Sequence, residues 1–203
     1  NYESLDYLIQ DNSVDFYSSV SDEEINKNLI DDFQTMYQPV SLIKSDGKLF
    51  EPVGGWENVK SNSNMSPIKK NVAYMWKNRI NLQKELIKHN KQYDWIISTR
   101  VDLKYFKDLD YSLLDPDSIN IPYGSEHGGY QDKIAIGKSE MIIEYLDLYK
   151  YMPEYLKTRT ISPEILLKYH LIKQNIPVNR INFDHKINPK VTLQNKYKLA
   201  HFK

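Results

Sequence analysis

From Ser66 to about Asn90 the chain carries a long amphipathic stripe, and an apolar, strand-like run from Tyr93 to Val101 follows almost at once. Val72, Met75, Trp76, Ile80, Leu86 and Ile87 recur at three- and four-residue spacing, with Arg79 and Gln83 as the stripe's polar members. Pro67, at the first helical position, marks the start. A helix with one apolar face that runs straight into a strand has to be layered on a sheet. Strands are expected near Val14 to Val20, Val40 to Ile43, Ser118 to Pro122, Asp132 to Gly137 and Val178 to Phe183. Helices are expected over Leu5 to Ile9, from Ser21 to about Phe33, from Ser139, and from Ser162 to roughly Lys173. Alternation with one late β-β step predicts an α/β fold: a mixed, mostly parallel sheet flanked by helices, in one domain over residues 1–203.

Residues 45–66 break the pattern. Asp46-Gly47, Gly54-Gly55 and Ser61-Asn62-Ser63-Asn64 are turn signals, and loops this long are commonly functional or disordered. Trp56 is expensive to leave in water, so a lid or substrate loop is one reading and a disordered segment the other.

Composition narrows the function classes. Lys and Arg number 27, as do Asp and Glu, so no broad electrostatic grip on nucleic acid or anionic membrane is indicated. There is no cysteine, which excludes disulfides, thiolate metal sites and a Cys nucleophile, and fits a reducing, cytoplasmic setting. No apolar run approaches the roughly 20 residues of a membrane span. No GxGxxG, P-loop, GxSxG or HExxH is present, so kinase-type, serine-hydrolase and zinc-protease chemistry has no anchor. The 16 tyrosines reflect either nucleotide bias or a stacking surface for sugars or bases.

Three constellations carry chemistry. The run Tyr93-Asp94-Trp95-Ile96-Ile97-Ser98-Thr99-Arg100-Val101-Asp102-Leu103 delivers a cation and a carboxylate, on one side of an extended segment, where α/β sheets bind ligands. Asp102 is a hard oxygen ligand suited to Mg²⁺ or Mn²⁺ on a diphosphate, and Arg100 suits phosphate or the fixing of Asp102; a surface ion pair is the plain alternative. In Gly128-Gly129-Tyr130-Gln131-Asp132 the glycines admit a close ligand approach, and Asp132 is the best placed general base for a sugar hydroxyl, against a solvated hairpin Asp. Glu164, behind Ser162-Pro163, either binds sugar or acceptor hydroxyls or simply complements a helix dipole. His170 reads as a satisfied, partly buried histidine, while His185 could complete a metal site with Asp102.

The ordered set resembles a known family. Residues 93–103, Gly129-Tyr130-Gln131-Asp132-Lys133-Ile134-Ala135-Ile136-Gly137 and Pro163-Glu164-Ile165-Leu166-Leu167-Lys168-Tyr169-His170-Leu171 are similar, in their order, to the small GT-A-type glycosyltransferase-like proteins of bacteria and large DNA viruses, including the viral rhamnosyltransferase-type domain. The resemblance covers about residues 65–185. It implies transfer of a sugar from a nucleotide diphosphate sugar to a hydroxyl acceptor, on a glycan, with a divalent metal. It sets Asp102 at the metal-coordinating position and Asp132 at the catalytic base; Arg100 stands where the motif's first carboxylate is expected. It also implies that the fold's first strand precedes Asn1 and that Asp15-Phe16-Tyr17 belongs to the second. A catalytically silent carbohydrate- or nucleotide-binding module on the same fold is the alternative.

Overall fold

The structure is a computed structural model that describes residues 14–21, 31, 34–35, 38–61, 66–100 and 102–187. Its elements are β1 (Tyr17–Ser21), β2 (Ser41–Ser45), α1 (Ser66–His89), β3 (Ile96–Thr99), β4 (Leu103–Tyr105), β5 (Ile119–Pro122), β6 (Ile134–Gly137), α2 (Ser139–Leu146), α3 (Leu148–Tyr155), α4 (Pro163–Lys173), β7 (Val178–Ile181) and β8 (His185–Ile187). The helices expected over Leu5 to Ile9 and after Ser21, and the basic tail from Asn188, lie wholly or largely outside the described residues.

The sheet is mixed, as expected, but not mostly parallel. Strands β3, β6, β5 and β7 form the central sheet in that order, with β3–β6 and β6–β5 antiparallel and β5–β7 parallel. β1–β2 is a separate parallel pair, and β4–β8 a separate antiparallel ribbon. The reason is local: β5 and β6 are joined by a turn without a crossover helix, which forces β6 to run back between β3 and β5. Strands β3, β5 and β7 therefore point the same way, and their carboxyl ends share one rim with the amino end of β6. At the opposite rim Tyr93 Oη donates to Asp15 Oδ2 at 2.8 Å and lies 2.7 Å from Tyr17 Oη, so the amino ends of β1 and β3 meet.

Strands β5 and β6 are buried along their whole lengths, because both faces of the central sheet are covered. Ile119, Ile121 and Ala135 pack with α1–α4 residues such as Trp76, Tyr145, Leu148 and Leu167. Ile134, Ile136 and Ile181 face the other way, onto Leu103, Tyr105 and Phe183 of the ribbon side. Alternating side chains along one strand thus feed two cores.

Helix α1 matches its sequence signals. Asn90, with φ 47°, ends it in the left-handed conformation, and Lys88 and His89 lie in its last turn, where the dipole favours cations. The buried face sits slightly toward the amino end of the expected stripe: Ile87 is exposed, whereas Lys69 and Ala73 are buried. The stripe's two polar members are inside and have partners. Gln83 donates to the Ile143 carbonyl at 2.9 Å and to Asp147 Oδ1 at 3.1 Å, and Arg79 reaches Asp132. Ser139, expected to cap α2, is its first residue, and Lys138 occupies the cap position.

The segment expected as a lid or a disordered loop is packed instead. Trp56 and Val59 are buried in the helical core, and Phe50 contacts both Trp56 and Tyr149. Lys69 Nζ donates to the carbonyls of Trp56 and Glu57 at 3.2 and 3.0 Å, Lys77 pairs with Asp46, and Tyr74 Oη donates to the Gly47 carbonyl at 2.9 Å. Residues 46–61 form a strap across α1, held because Trp56 needs burial and the buried lysines need oxygen partners.

His170 is fully buried and satisfied on both nitrogens: Nε2–H donates to the Glu144 carbonyl at 2.9 Å, and Nδ1 accepts from Tyr155 Oη at 3.2 Å. Burial pushes its pKa below the ordinary value of 6.5. The unfolded chain binds this proton near pH 6.5 and the native state does not. The contribution to stability is therefore complete above pH 6.5 and is lost as the pH falls through the native pKa. Thermal unfolding between pH 7.5 and 5 should show a falling Tm, with a shallower slope in His170→Gln; an identical slope would mean that His170 is not shielded. His185, also depressed chiefly by burial, supplies part of the remaining slope.

Among the described residues no helix is long and apolar enough to cross a membrane.

Candidate functional site

The carboxyl rim is where the sequence-derived residues meet. The last β3–β6 pair is Thr99 with Ile134. Continuing that register past the paired residues brings Arg100 level with Lys133, and Asp132 one step further along. Asp102 follows in the turn into β4, where the Leu103 amide reaches back to the Arg100 carbonyl at 3.4 Å.

Arg100 is the hinge of the cluster. Its Nε donates to Asp102 Oδ1 at 2.8 Å and its Nη2 to Asp102 Oδ2 at 2.5 Å, a two-bond fork. The side chains are 38% and 12% exposed, so the guanidinium still fronts solvent while the carboxylate is covered. The hydrogen bonds to Asp102 hold the Arg100 pKa above its ordinary value, and the charges of Asp102 and of Asp132 act in the same direction against burial. Two carboxylates thirty positions apart in the chain thus act on one guanidinium. Two of the five N–H groups of Arg100 serve Asp102, and the other three make no hydrogen bond among the described residues.

Asp132 is only 4% exposed. Its main-chain carbonyl accepts from Arg79 Nη2 at 2.5 Å and from Tyr145 Oη at 3.3 Å, and its Oδ2 lies 3.6 Å from Arg79 Nη2. Arg79 is buried over the faces of Trp76, at 4.2 Å, and Tyr145, at 5.8 Å. Among the described residues Asp132 Oδ2 makes no hydrogen bond, an unusual state for a buried carboxylate oxygen. Burial raises Tyr145 to about 12, a rise that Arg79 opposes and Asp132 assists. Sequence reasoning missed Arg79 as a site residue; the available signal was a cation on the buried stripe of α1.

The turn between β5 and β6 closes the rim. Gly124, Ser125, His127 and Gly128 all have positive φ, so the segment is tightly coiled. Gly129 lies against the α4 backbone, where a Cβ would collide with the Glu164 carbonyl. That carbonyl accepts the Tyr130 amide at 3.1 Å, and the Glu164 carboxylate accepts from Ser162 Oγ at 2.8 Å. Ser162, in extended backbone at the cap position, spends its hydroxyl on Glu164 rather than on a helix amide. Gly129 and Tyr130 are therefore brought against the first turn of α4 at Glu164, and the chain runs on from Tyr130 to Asp132 two residues later.

His185 is not brought to Asp102 in a metal-binding arrangement. The β4–β8 register sets it opposite Tyr105, three residues on from Asp102, or about 10 Å of strand. Its Nδ1 lies 2.9 Å from the Phe183 carbonyl, and beside burial it feels the charge of Lys133. Among the described residues no group of three or more His, Asp or Glu could hold a metal ion. Asp102 is engaged by Arg100 through both oxygens, so this donor set does not fit Mn²⁺ or Mg²⁺.

Two clefts of about 230 Å³ each flank the sheet, and neither is lined by Arg100, Asp102 or Asp132. One, beside Tyr93 and Ser139, lies at the amino rim, away from the cluster. The other, between Lys107–Asp110 and Ile181–Phe183, opens at the carboxyl end of β7, on the cluster's rim.

No curated protein matches the chain. A family model described as a domain of unknown function (DUF7796) matches residues 79–191, from Arg79 through all of β8, and so includes Arg100, Asp102, Asp132, Glu164 and His185. The match spans more than half of the chain, which therefore belongs to the DUF7796 family.

Proposed function

We propose that this domain is a GT-A-like glycosyltransferase that moves a sugar from a nucleotide diphosphate sugar to a hydroxyl acceptor, probed most directly through release of the nucleoside diphosphate. The reading is carried by Asp102, bonded to Arg100, lying at the rim where the carboxyl ends of β3, β5 and β7 and the amino end of β6 lie, with Asp132 just before β6 and its charge reaching the same guanidinium. In this reading Asp102 orients the guanidinium, and the three remaining N–H groups of Arg100 face the departing diphosphate. The acceptor oxygen attacks the anomeric carbon, and the bond from that carbon to the phosphate oxygen breaks with its electron pair on the diphosphate. Asp132 takes the hydroxyl proton. No step is assigned to a metal, since the described residues do not supply its ligands.

The test is an assay of free nucleoside diphosphate from a panel of UDP-, GDP- and dTDP-sugars, run with Mn²⁺, with Mg²⁺ and with a chelator. Release from at least one donor supports the transferase, and Arg100→Ala should lower kcat/KM for that donor by about 10²-fold or more. Binding without release from any donor supports the silent module instead. That second reading draws on the low exposure of Asp132 and its pairing with Arg79.

A further inference from the structure

We propose that the β5–β6 turn carries a saccharide subsite built on Tyr123. Tyr123 is 55% exposed, an unusual setting for a ring in so constrained a segment. The residues after it, Gly124 and Ser125, have φ of 103° and 51°, and its own amide is tied to the Ile181 carbonyl at 3.0 Å. Behind it stands Arg180, whose Cζ lies 4.6 Å from the Tyr123 ring centroid and 5.3 Å from that of Tyr130. Lys168 Nζ completes the ladder, 5.7 Å from the Tyr130 centroid.

Arg180 is itself fixed. Its Nε donates to the Ile121 carbonyl at 3.1 Å, its Nη2 donates to the Pro122 carbonyl at 2.9 Å, and it pairs with Glu126. The Tyr123 ring is thus backed by a guanidinium and left open to solvent. Such preorganisation lowers the ordering cost of a ligand that stacks there. A pyranose presents an apolar C–H face and a rim of hydroxyls. Tyr123 matches the face, while Glu126, with a side chain 40% exposed, offers the rim a hydrogen-bond acceptor. The same turn leads, two residues past Tyr130, to Asp132. The subsite therefore suits the acceptor glycan; only that role rests on the transferase reading, because saccharide binding itself needs no turnover.

The experiment is binding of the whole chain to an array of defined immobilised oligosaccharides, followed by titration of the best of them in solution. Wild type and Tyr123→Phe should bind alike, and Tyr123→Ala should lose about tenfold or more, the order that a lost stacking contact costs. Arg180→Gln, which frees the backing of the ring, should weaken binding less. The proposal is overturned if no oligosaccharide binds, or if Tyr123→Ala binds as wild type does. It is also overturned if Tyr123→Ala instead loses affinity for UDP, GDP or dTDP, which would make the ring a nucleobase platform. Glycan binding that depends on Tyr123, together with no nucleotide release from any donor, would keep this subsite and remove the transferase.

Discussion

Asp132→Asn is expected to lower kcat for nucleotide release by two to four orders of magnitude while leaving donor affinity within about threefold. The substitution is close to isosteric; it removes the carboxylate charge, and with it both the proton acceptor and the ion pair to Arg79. Arg79 Nη2 and Tyr145 Oη bond to the main-chain carbonyl of residue 132, which the change keeps. A fall in kcat at constant donor affinity, in a variant whose urea unfolding shows it fully folded under assay conditions, is therefore a statement about the carboxylate and not about the turn. Initial rates at saturating donor, paired with calorimetric donor titration, separate the two. An unchanged turnover number would remove Asp132 from the chemistry.

Arg79→Ala is expected to destabilise the fold by about 3–5 kcal/mol, the usual cost of removing one member of a buried ion pair. The side chains of Arg79 and Asp132 are 8% and 6% exposed, so the carboxylate left behind has little access to water. The loss of guanidinium packing on Trp76 and Tyr145 adds to it. In a chain of this size that corresponds to a fall in Tm of roughly 6–20 °C. Equilibrium urea unfolding measures it. The double variant Arg79→Met with Asp132→Asn, which keeps volume and strands no charge, should recover most of the loss. A single-variant cost under about 1 kcal/mol would mean that the pair is hydrated in solution.

These two residues also show what the sequence could and could not disclose. The place of Asp132 in the fold was legible because a glycine-containing turn before an apolar alternation sets it at a strand's start, and the places of Arg100 and Asp102 because they follow an apolar run. Strand and helix positions came from the same periodicities: α1, β5, β6, α4 and β7 lie where patterning put them. Partnership was not legible. Nothing in the stripe of α1 says that Arg79 meets a residue fifty-three positions later, because that contact depends on how the helix is rotated over the sheet. Strand direction was misjudged for a related reason. The interval between β5 and β6 reads as turn residues, and a period-two pattern is identical for parallel and antiparallel neighbours. The ribbon strands β4 and β8 are three residues each, too short for alternation to register. Trp56 was rightly flagged as costly in water, but burial by a strap rather than by a lid required knowing that Lys69 and Lys77 would supply its anchors.

The doubly covered strand β6 has a mechanical implication for the residue at its head. Asp132 enters a segment clamped between helices on one side and the β4–β8 ribbon on the other. Close-packed interiors transmit small volume changes as displacements. Enlarging Ala135 would push the strand toward the ribbon, and trimming Ile134 or Ile136 would let it sag the same way. Core residues distant from the rim would thereby retune the aim of the Asp132 carboxylate, and under the transferase proposal activity would drift with selection for core packing alone.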